Sequence, residues 1–259
     1  MIIPIESRSN EKIKSAVKLA SSSRYRSENR EFFLEGLRLC YDAYLSSVEI
    51  KQFFFTENAR QKNPEKINDI ISSAAYSYTI SEDISSKLSL TQNGQGIYAV
   101  CAMPDKNGKP IKKGGKYIAF ENIQDPANLG AMARTAEALG IDGAIISGCC
   151  DCYNPKAQRA AMGSLMRLET VLCDNLPVFL AERKKEGFEL LATTPSENSQ
   201  RITDISFEGG VICVIGNEGN GVSSETMDLC RRVTIPMKGR AESLNASMAA
   251  AIVMWEMMR

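Results

Sequence analysis

Short apolar runs alternate with helix-like polar segments along the chain, and the pattern divides it in two. In the first half, Glu31–Glu35 reads as a strand, Gly36–Leu45 as a helix and Val48–Phe55 as a second strand. Residues 65–73 carry a helical pattern, 76–79 a short strand and Ile84–Leu88 another helix. A polar turn at Thr91–Gly96 leads into the strand Ile97–Ala102, so this half predicts a small α/β unit. Ahead of it, Ile13, Val17 and Ala20 fall at helical spacing. Residues 104–115 then hold two Pro, three Gly and four Lys without apolar periodicity, the composition of a linker. The expected division is a first domain over 1–105, a linker over 106–115 and a second domain over 116–259.

The second domain opens with the strand Tyr117–Glu121, the loop Asn122–Asn128, the helix Leu129–Leu139 closed by Gly140, and the strand Gly143–Ser147. Such a βαβ unit implies a parallel sheet. Gln158–Met166, Val178–Lys185 and Ser223–Cys230 predict helices; Leu190–Thr194, Val211–Ile215 and 232–235 predict strands. A polar turn with two good helix caps, Ser243 and Asn245, starts a final helix that is apolar nearly all round, with Met248, Ile252 and Trp255 at helical spacing. A helix of that kind is buried in its own domain or against a partner.

Composition narrows the chemistry. Hydrophobic residues are 44% of the 259 and charged residues 24%, as in soluble globular proteins. No apolar stretch reaches the length of a signal peptide or a membrane span, and eight cysteines in that context read as reduced thiols, so a cytoplasmic protein away from the membrane is expected. Cys149, Cys150 and Cys152 cluster, but no second pair of ligands follows, and no metal is expected. The chain has no histidine, which excludes Ser-His-Asp and Cys-His nucleophile systems, H-E-x-x-H zinc proteases and H-x-E zinc deaminases. Net charge is zero, yet residues 1–30 hold seven basic side chains (Arg8, Lys12, Lys14, Lys18, Arg24, Arg26, Arg30) against three acidic ones, a local excess of four. That run is either a solvated helix face or a phosphate-contacting surface.

Three loops at the C-terminal ends of expected strands could carry chemistry, because ligands of parallel sheets bind at that edge. The first holds Asn128, expected to cap its helix, and Arg134, whose Met and Ala neighbours suggest a partly buried site where a guanidinium needs an anion such as phosphate. The second, Gly216-Asn-Glu-Gly-Asn-Gly221, follows a buried strand; its glycines permit close backbone approach, although a tight turn alone would also explain them. It lacks the Lys-Ser/Thr of a phosphate loop. The third is the turn before the final helix.

Together, Asn128-x-Gly-x-x-x-Arg-Thr135, Ile215-Gly-Asn-Glu-Gly-Asn-Gly221 and Ile235-Pro-Met-x-Gly-x-x-Glu-Ser-Leu-Asn-x-Ser247 resemble the three motifs of the SpoU (TrmH-like) branch of the SPOUT RNA methyltransferases. Tyr153-Asn-Pro-Lys156 and Met162-Gly-Ser164 resemble that branch too, and Phe33-Leu-Glu-Gly36 with Leu90–Val100 resembles its N-terminal RNA-binding domain, which is similar to small ribosomal proteins. The resemblance implies an α/β parallel-sheet domain ending in a deep trefoil knot, preceded by a small α/β RNA-binding domain. It implies methyl transfer from S-adenosyl-L-methionine to a ribose 2′-hydroxyl of structured RNA, 23S rRNA first, with tRNA or a non-catalytic RNA-binding role as alternatives. A nucleotide-binding α/β protein using the 216–221 loop is a further alternative.

The implied substrate-side residues are Asn128, Arg134, Glu218, Ser243 and Asn245. The implied cofactor side is Gly216, Asn217, Gly221, Ile235, Met237 and Leu244, with Thr193 and Thr194 lining the same pocket. RNA contacts are expected from Lys12, Lys14, Lys18, Arg24, Arg26 and Arg30, and from Lys156 and Arg159. Family members are homodimers through the C-terminal domain, with the final helix at the interface. Arg134 is expected to clamp phosphate and stabilise a developing alkoxide, while Glu218 or water takes the proton.

Overall fold

Apolar runs build two sheets in a computed structural model that describes residues 2–104, 111–196 and 198–259. The chain groups into two units: Met1–Asp105 with Tyr153–Met166, and Lys106–Cys152 with Arg167–Arg259. Residues 106–110 of the expected linker lie outside the described residues. Residues 111–115 lead into the second unit through a turn in which Lys112 N donates to the Tyr117 hydroxyl at 2.7 Å.

In the first unit, Ile2–Ile5 (β1), Glu31–Glu35 (β2), Ile50–Phe55 (β3), Tyr76–Ile80 (β4) and Ile97–Ala102 (β5) pair in the order β1-β4-β3-β5-β2. The pairs β1–β4 and β4–β3 are parallel, and β5 runs antiparallel to both β3 and β2. Helices Glu11–Ser21 (α1), Ser23–Asn29 (α2), Leu37–Leu45 (α3), Glu57–Lys62 (α4), Pro64–Ser73 (α5) and Glu82–Leu88 (α6) connect the strands. Ile13, Ala16 and Leu19 of α1 join Phe33, Phe54, Tyr78 and Tyr98 in one core cluster. β1 and α4 left no clear pattern in the sequence. β1 is a four-residue edge strand containing Pro4, and an edge is where a sheet tolerates proline.

The second unit contains Lys116–Glu121 (β6), Pro126–Leu139 (α7) and Gly143–Ser147 (β7). Pro155–Ala161 (α8) follows in sequence but belongs to the first unit, where the Tyr153 ring lies 4.9 Å from that of Phe32. Ser164–Arg167 (α9), Thr170–Leu172 (β8), Leu176–Lys185 (α10), Glu189–Thr193 (β9), Gln200–Arg201 (β10), Val211–Ile215 (β11), Ser224–Met227 (α11), Arg231–Thr234 (β12) and Ala246–Met258 (α12) complete the chain. The strands form one sheet in the order β10-β12-β9-β11-β6-β7-β8, parallel throughout, as the βαβ pattern implied. β7 and β11 are buried at every position, which is why they read as unbroken apolar runs.

Three helix boundaries differ from expectation. α7 begins at Pro126, capped by Asp125, whose carboxylate accepts from Ala127 N at 2.9 Å; Asn128 is thereby freed from capping. The helix expected over 158–166 is broken by Met162 and Gly163, at φ 49° and 86°. The helix expected over 223–230 stops at Met227, and Lys184 Nζ takes the carbonyl of Leu229 at 2.7 Å.

The strand order places the site. From β6 the chain builds outward through β7 and β8; β11, β9, β12 and β10 lie on the other side. Loops leaving the adjacent ends of β6 and β11 therefore flank a topological switch point. α12 packs on α7 and β11, and Lys116 Nζ donates to the Met257 carbonyl at its C-terminal end. No helix among the described residues is long and apolar enough to cross a membrane.

Candidate active site

Glu121 ends β6 and is 4% exposed. Its carboxylate accepts from Ser223 N at 2.8 Å, Ser223 Oγ at 2.7 Å and Thr226 Oγ1 at 2.6 Å. A buried carboxylate requires such partners, and these clamp the loop after β11 to the end of β6. The loop closes on itself: Asn217 and Gly221 exchange two backbone bonds of 2.9 Å, and Asn217 Oδ1 accepts from the N–H groups of Gly219 and Asn220. A Cβ at Gly216 would collide with the backbone of Gly221 and Val222, so this glycine is required by the loop's own closure before any ligand is considered. Asn217 Nδ2 donates to the Asn122 carbonyl at 2.8 Å, with Asn122 held at φ 57°, a conformation short polar residues tolerate.

Closure presents Glu218 to the start of α7. Its Oε2 accepts from Gln124 N at 3.2 Å, and its Oε1 from Asp125 N at 3.2 Å and Asn128 Nδ2 at 3.0 Å. Asn128 Oδ1 in turn accepts from Asn245 Nδ2 at 3.2 Å. Asn245 is the N-cap of α12, its Oδ1 accepting from Ser247 N at 2.9 Å and Ser247 Oγ at 2.6 Å. One chain of bonds therefore joins the loops after β6, β11 and β12. What burial Glu218 has opposes its charge, but the bonds from Asn128 and from the backbone N–H groups of its own residue, Gln124 and Asp125 prevail, and its carboxyl sits below the ordinary value. The positive end of α7 acts in the same direction.

The remaining expected residues are placed less tightly. Arg134 is exposed, not partly buried, and bonds to no other described residue; Met132, Ala133 and Ala136 are buried while the guanidinium faces outward. Ser243 is exposed and caps nothing, because Asn245 has that place. Thr193 Oγ1 donates to the Val214 carbonyl at 3.1 Å, and Thr194 N to the Val233 carbonyl at 2.9 Å. Ile235 is half-buried, while Met237 and Leu244 are exposed for apolar side chains, at 38% and 37%. A cleft of about 370 Å³ is lined by Asn122, Gln124, Asn217, Asn220, Gly221 and Ser223. It contains Asn217 and Gly221 of the expected cofactor residues and none of the others. Sequence reasoning passed over the parts of Glu121, Asn122 and Gln124. The signal for Glu121 was an acid closing a strand whose other residues are almost all apolar.

Cys149 has a structural part in the turn after β7: its thiol donates to the Phe120 carbonyl at 3.2 Å and accepts from Ile123 N at 3.3 Å. Burial pushes the Cys149 thiol up to about 12 and Cys150 to about 11, so neither is a ready thiolate. Among the described residues no group of three His, Cys, Asp or Glu is arranged to hold a metal.

In the first unit, the expected RNA contacts divide. Arg26 is 2% exposed and donates to the Leu19 carbonyl at 2.6 Å, closing the end of α1. This corrects its expected role, since a buried guanidinium serving backbone carbonyls cannot meet RNA. Lys14 pairs with Glu11 at 2.6 Å and Arg24 with Glu28 at 2.7 Å. Lys12 lies 5.3 Å from the Tyr78 ring centre and Lys18 lies 5.5 Å from that of Tyr25. Arg30 is exposed at the left-handed C-cap of α2. Lys156 is exposed in the first turn of α8, and Arg159 lies 3.9 Å from the buried Glu35 carboxylate.

Comparison with known proteins places this geometry. Residues 115–255 match the SpoU rRNA Methylase family and residues 10–99 an MRM3-like substrate binding domain. The chain is 33% identical over 257 residues to the 23S rRNA (guanosine(2553)-2'-O)-methyltransferase RlmP of Bacillus subtilis, covering 98% of each protein. It is 30% identical over 236 residues to an uncharacterised tRNA/rRNA methyltransferase of Synechocystis, covering 90% of this chain and 86% of that protein. Among solved structures, the AdoMet-bound rRNA methyltransferase of Sinorhizobium meliloti superposes with a TM-score of 0.88 at 25% identity, over 99% of this chain and 97% of that one.

The lowered carboxyl of Glu218 has a consequence for stability. A folded-state value below the unfolded one means that its contribution is present at neutral pH and is lost as pH falls through the folded value. Chemical denaturation from pH 7 to pH 3 should show wild type above Glu218→Gln at neutral pH, with the gap closing in acid. A gap independent of pH would contradict the assigned bonds.

Proposed function

The chain belongs to the SpoU rRNA Methylase family, and we propose that it transfers a methyl group from S-adenosylmethionine to a ribose 2′-hydroxyl of 23S rRNA. The observation that carries this is the bond chain Glu218–Asn128–Asn245, which gathers all three family motifs at one edge of the sheet. The 23S rRNA activity of the Bacillus subtilis relative, matched over 98% of its length, supports rRNA over tRNA.

The residues at that edge fit the cofactor. Its adenine needs flat apolar contact and amide partners, and its sulfonium needs surroundings without a fixed cation. Met237 and Leu244 offer apolar surface that folding leaves exposed, and Gly216 and Ile235 offer backbone groups, while Asn217, Gly221, Thr193 and Thr194, bonded within the fold, would shape the wall. When bound, S-adenosylmethionine supplies an electrophilic methyl carbon: the ribose oxygen gains the carbon as the carbon–sulfur bond breaks. The protein's own part is to hold the ribose in line and to manage the hydroxyl proton.

Asn128 and Asn245 hold fixed orientations through the chain of bonds and present amides to the ribose. Arg134, exposed and without a partner among the described residues, holds a flanking phosphate and stabilises the developing alkoxide; it stays protonated throughout. Ser243 lies on the same turn as Asn245 and lines the substrate side. Glu218 is a positioning residue: both its oxygens already accept bonds and its carboxyl is held acidic, which makes it a poor base. Water takes the proton.

We extend the proposal to assembly. Met248, Ile252 and Trp255 on α12 are 61%, 39% and 58% exposed, apolar surface that a second copy of the chain would cover. The segment 235–245 runs from β12 to Asn245, whose amide donates to Asn128 of α7, and the proposal includes the deep trefoil knot of the family. A cytoplasmic location follows from the proposed substrate.

Labelled methyl transfer to 23S rRNA from cells lacking the modification should place the label on one ribose; label on a base, or none, would refute the function. In that assay Arg134→Lys should lose about 10²-fold in rate with calorimetric cofactor affinity unchanged, and full activity would remove both parts given to Arg134. Light scattering should find a dimer for wild type and one-chain mass for Met248→Glu/Trp255→Glu; an unchanged mass would refute the interface.

A further inference from the structure

The first unit carries a cleft of about 730 Å³ between α3, α4, α5 and the turn 89–96, lined by no residue of the basic run along α1 and α2. Its cations are Arg38, Lys62 and Lys66, one from each of the three helices. Arg38 and Lys62 are exposed and bond to no other described residue, and Lys66 lies 5.3 Å from the centre of the Tyr41 ring, which also lines the cleft. On α1 and α2, Lys14 and Arg24 face carboxylates and Arg26 is buried, which leaves Lys12, Lys18 and Arg30 as the cations there without a carboxylate partner among the described residues. Pairing of that kind reduces the field a segment presents to a polyanion.

The turn that walls the cleft is built, not loose. The buried Glu35 carboxylate accepts from Ser89 Oγ at 2.8 Å, Thr91 Oγ1 at 2.9 Å and Leu90 N at 3.1 Å. Gln95 Oε1 accepts from Leu37 N at 2.8 Å, which seats the turn on the start of α3 and leaves the Gln95 amide N–H groups and the whole amide of Asn58 without partners among the described residues. Asp42 and Glu82 also line the cleft, so its three cations leave a net charge of one. Charge alone cannot hold a ligand there. Free amides beside an aromatic ring are what an unpaired base needs, and the cations suit its flanking phosphates.

We propose that this cleft takes an unpaired nucleotide of the substrate RNA, with Arg38, Lys62 and Lys66 on phosphate and Asn58, Gln95 and Tyr41 against the base. The inference rests on the reading of the chain as an rRNA methyltransferase. It assigns recognition to α3–α5, in place of α1–α2.

The test is equilibrium binding of an unmodified 23S rRNA transcript to the full-length protein between 50 and 200 mM salt (about the range over which phosphate contacts are lost). For Arg38→Ala/Lys62→Ala/Lys66→Ala, affinity should fall at least about tenfold and the salt slope become shallower by about 2, with cofactor affinity and melting temperature as in wild type. Asn58→Ala should weaken binding without changing the slope. Lys14→Ala/Lys18→Ala/Arg24→Ala should cost less than the cleft triple. An unchanged slope in the cleft triple, or an equal or larger loss from the α1–α2 triple, would overturn the proposal, as would a wild type that binds no RNA. A wild type whose binding depends on the cleft but which transfers no methyl group would support the cleft and refute the activity.

Discussion

The site depends on a single carboxylate accepting backbone N–H groups. Glu218 reaches from the loop after β11 to Gln124 and Asp125 at the head of α7, and its third bond recruits Asn128. The bonds from Asn217 to Asn122 and from Ser223 to Glu121 already tie the loop after β11 to the end of β6, and Glu218 adds the tie to the head of α7. With it, the amide of Asn128 becomes a relay to Asn245, the cap of the final helix. The cost is that the same bonds that hold the loops hold the carboxyl in its ionised form. A group cannot serve strongly as scaffold acceptor and as base at once, so the geometry favours the first.

Glu121 works one layer below. It is buried where Glu218 is exposed, and it fixes Ser223 and Thr226, so the loop bearing Glu218 is anchored behind as well as in front. The oxygens of each acid accept from neutral hydrogen-bond donors, so each holds a loop in place without a cationic partner. The first unit uses the same device, with Glu35 holding the turn 89–91.

Much of the fold was legible because burial on both faces writes unbroken apolar runs: β6, β7, β9 and β11 fell within a residue or so of their expected bounds. Elements whose residues are half-exposed or very short, such as β1, β10 and α4, left no run to read. The three motif loops were visible as polar clusters after strands, but their contacts were not. Nothing in the spacing of Asn128, Glu218 and Asn245 says that they touch, since strand order in a sheet is not written along the chain. Local patterning also misjudged two arginines in opposite directions. Arg134, among apolar neighbours, turned out exposed; Arg26, in a charged run, turned out buried, because helix ends need their carbonyls capped and a long side chain seven residues on can do it.

The central claim is that Glu218 positions the loops and does not take the ribose proton. Single-turnover methyl transfer measured from pH 4.5 to 8 in wild type and Glu218→Gln tests it most directly. Both proteins should transfer without an inflection in this window, which lies above the lowered Glu218 carboxyl, with the variant slower by a factor that does not depend on pH. An inflection in wild type that disappears in the variant would make Glu218 the base and contradict the account.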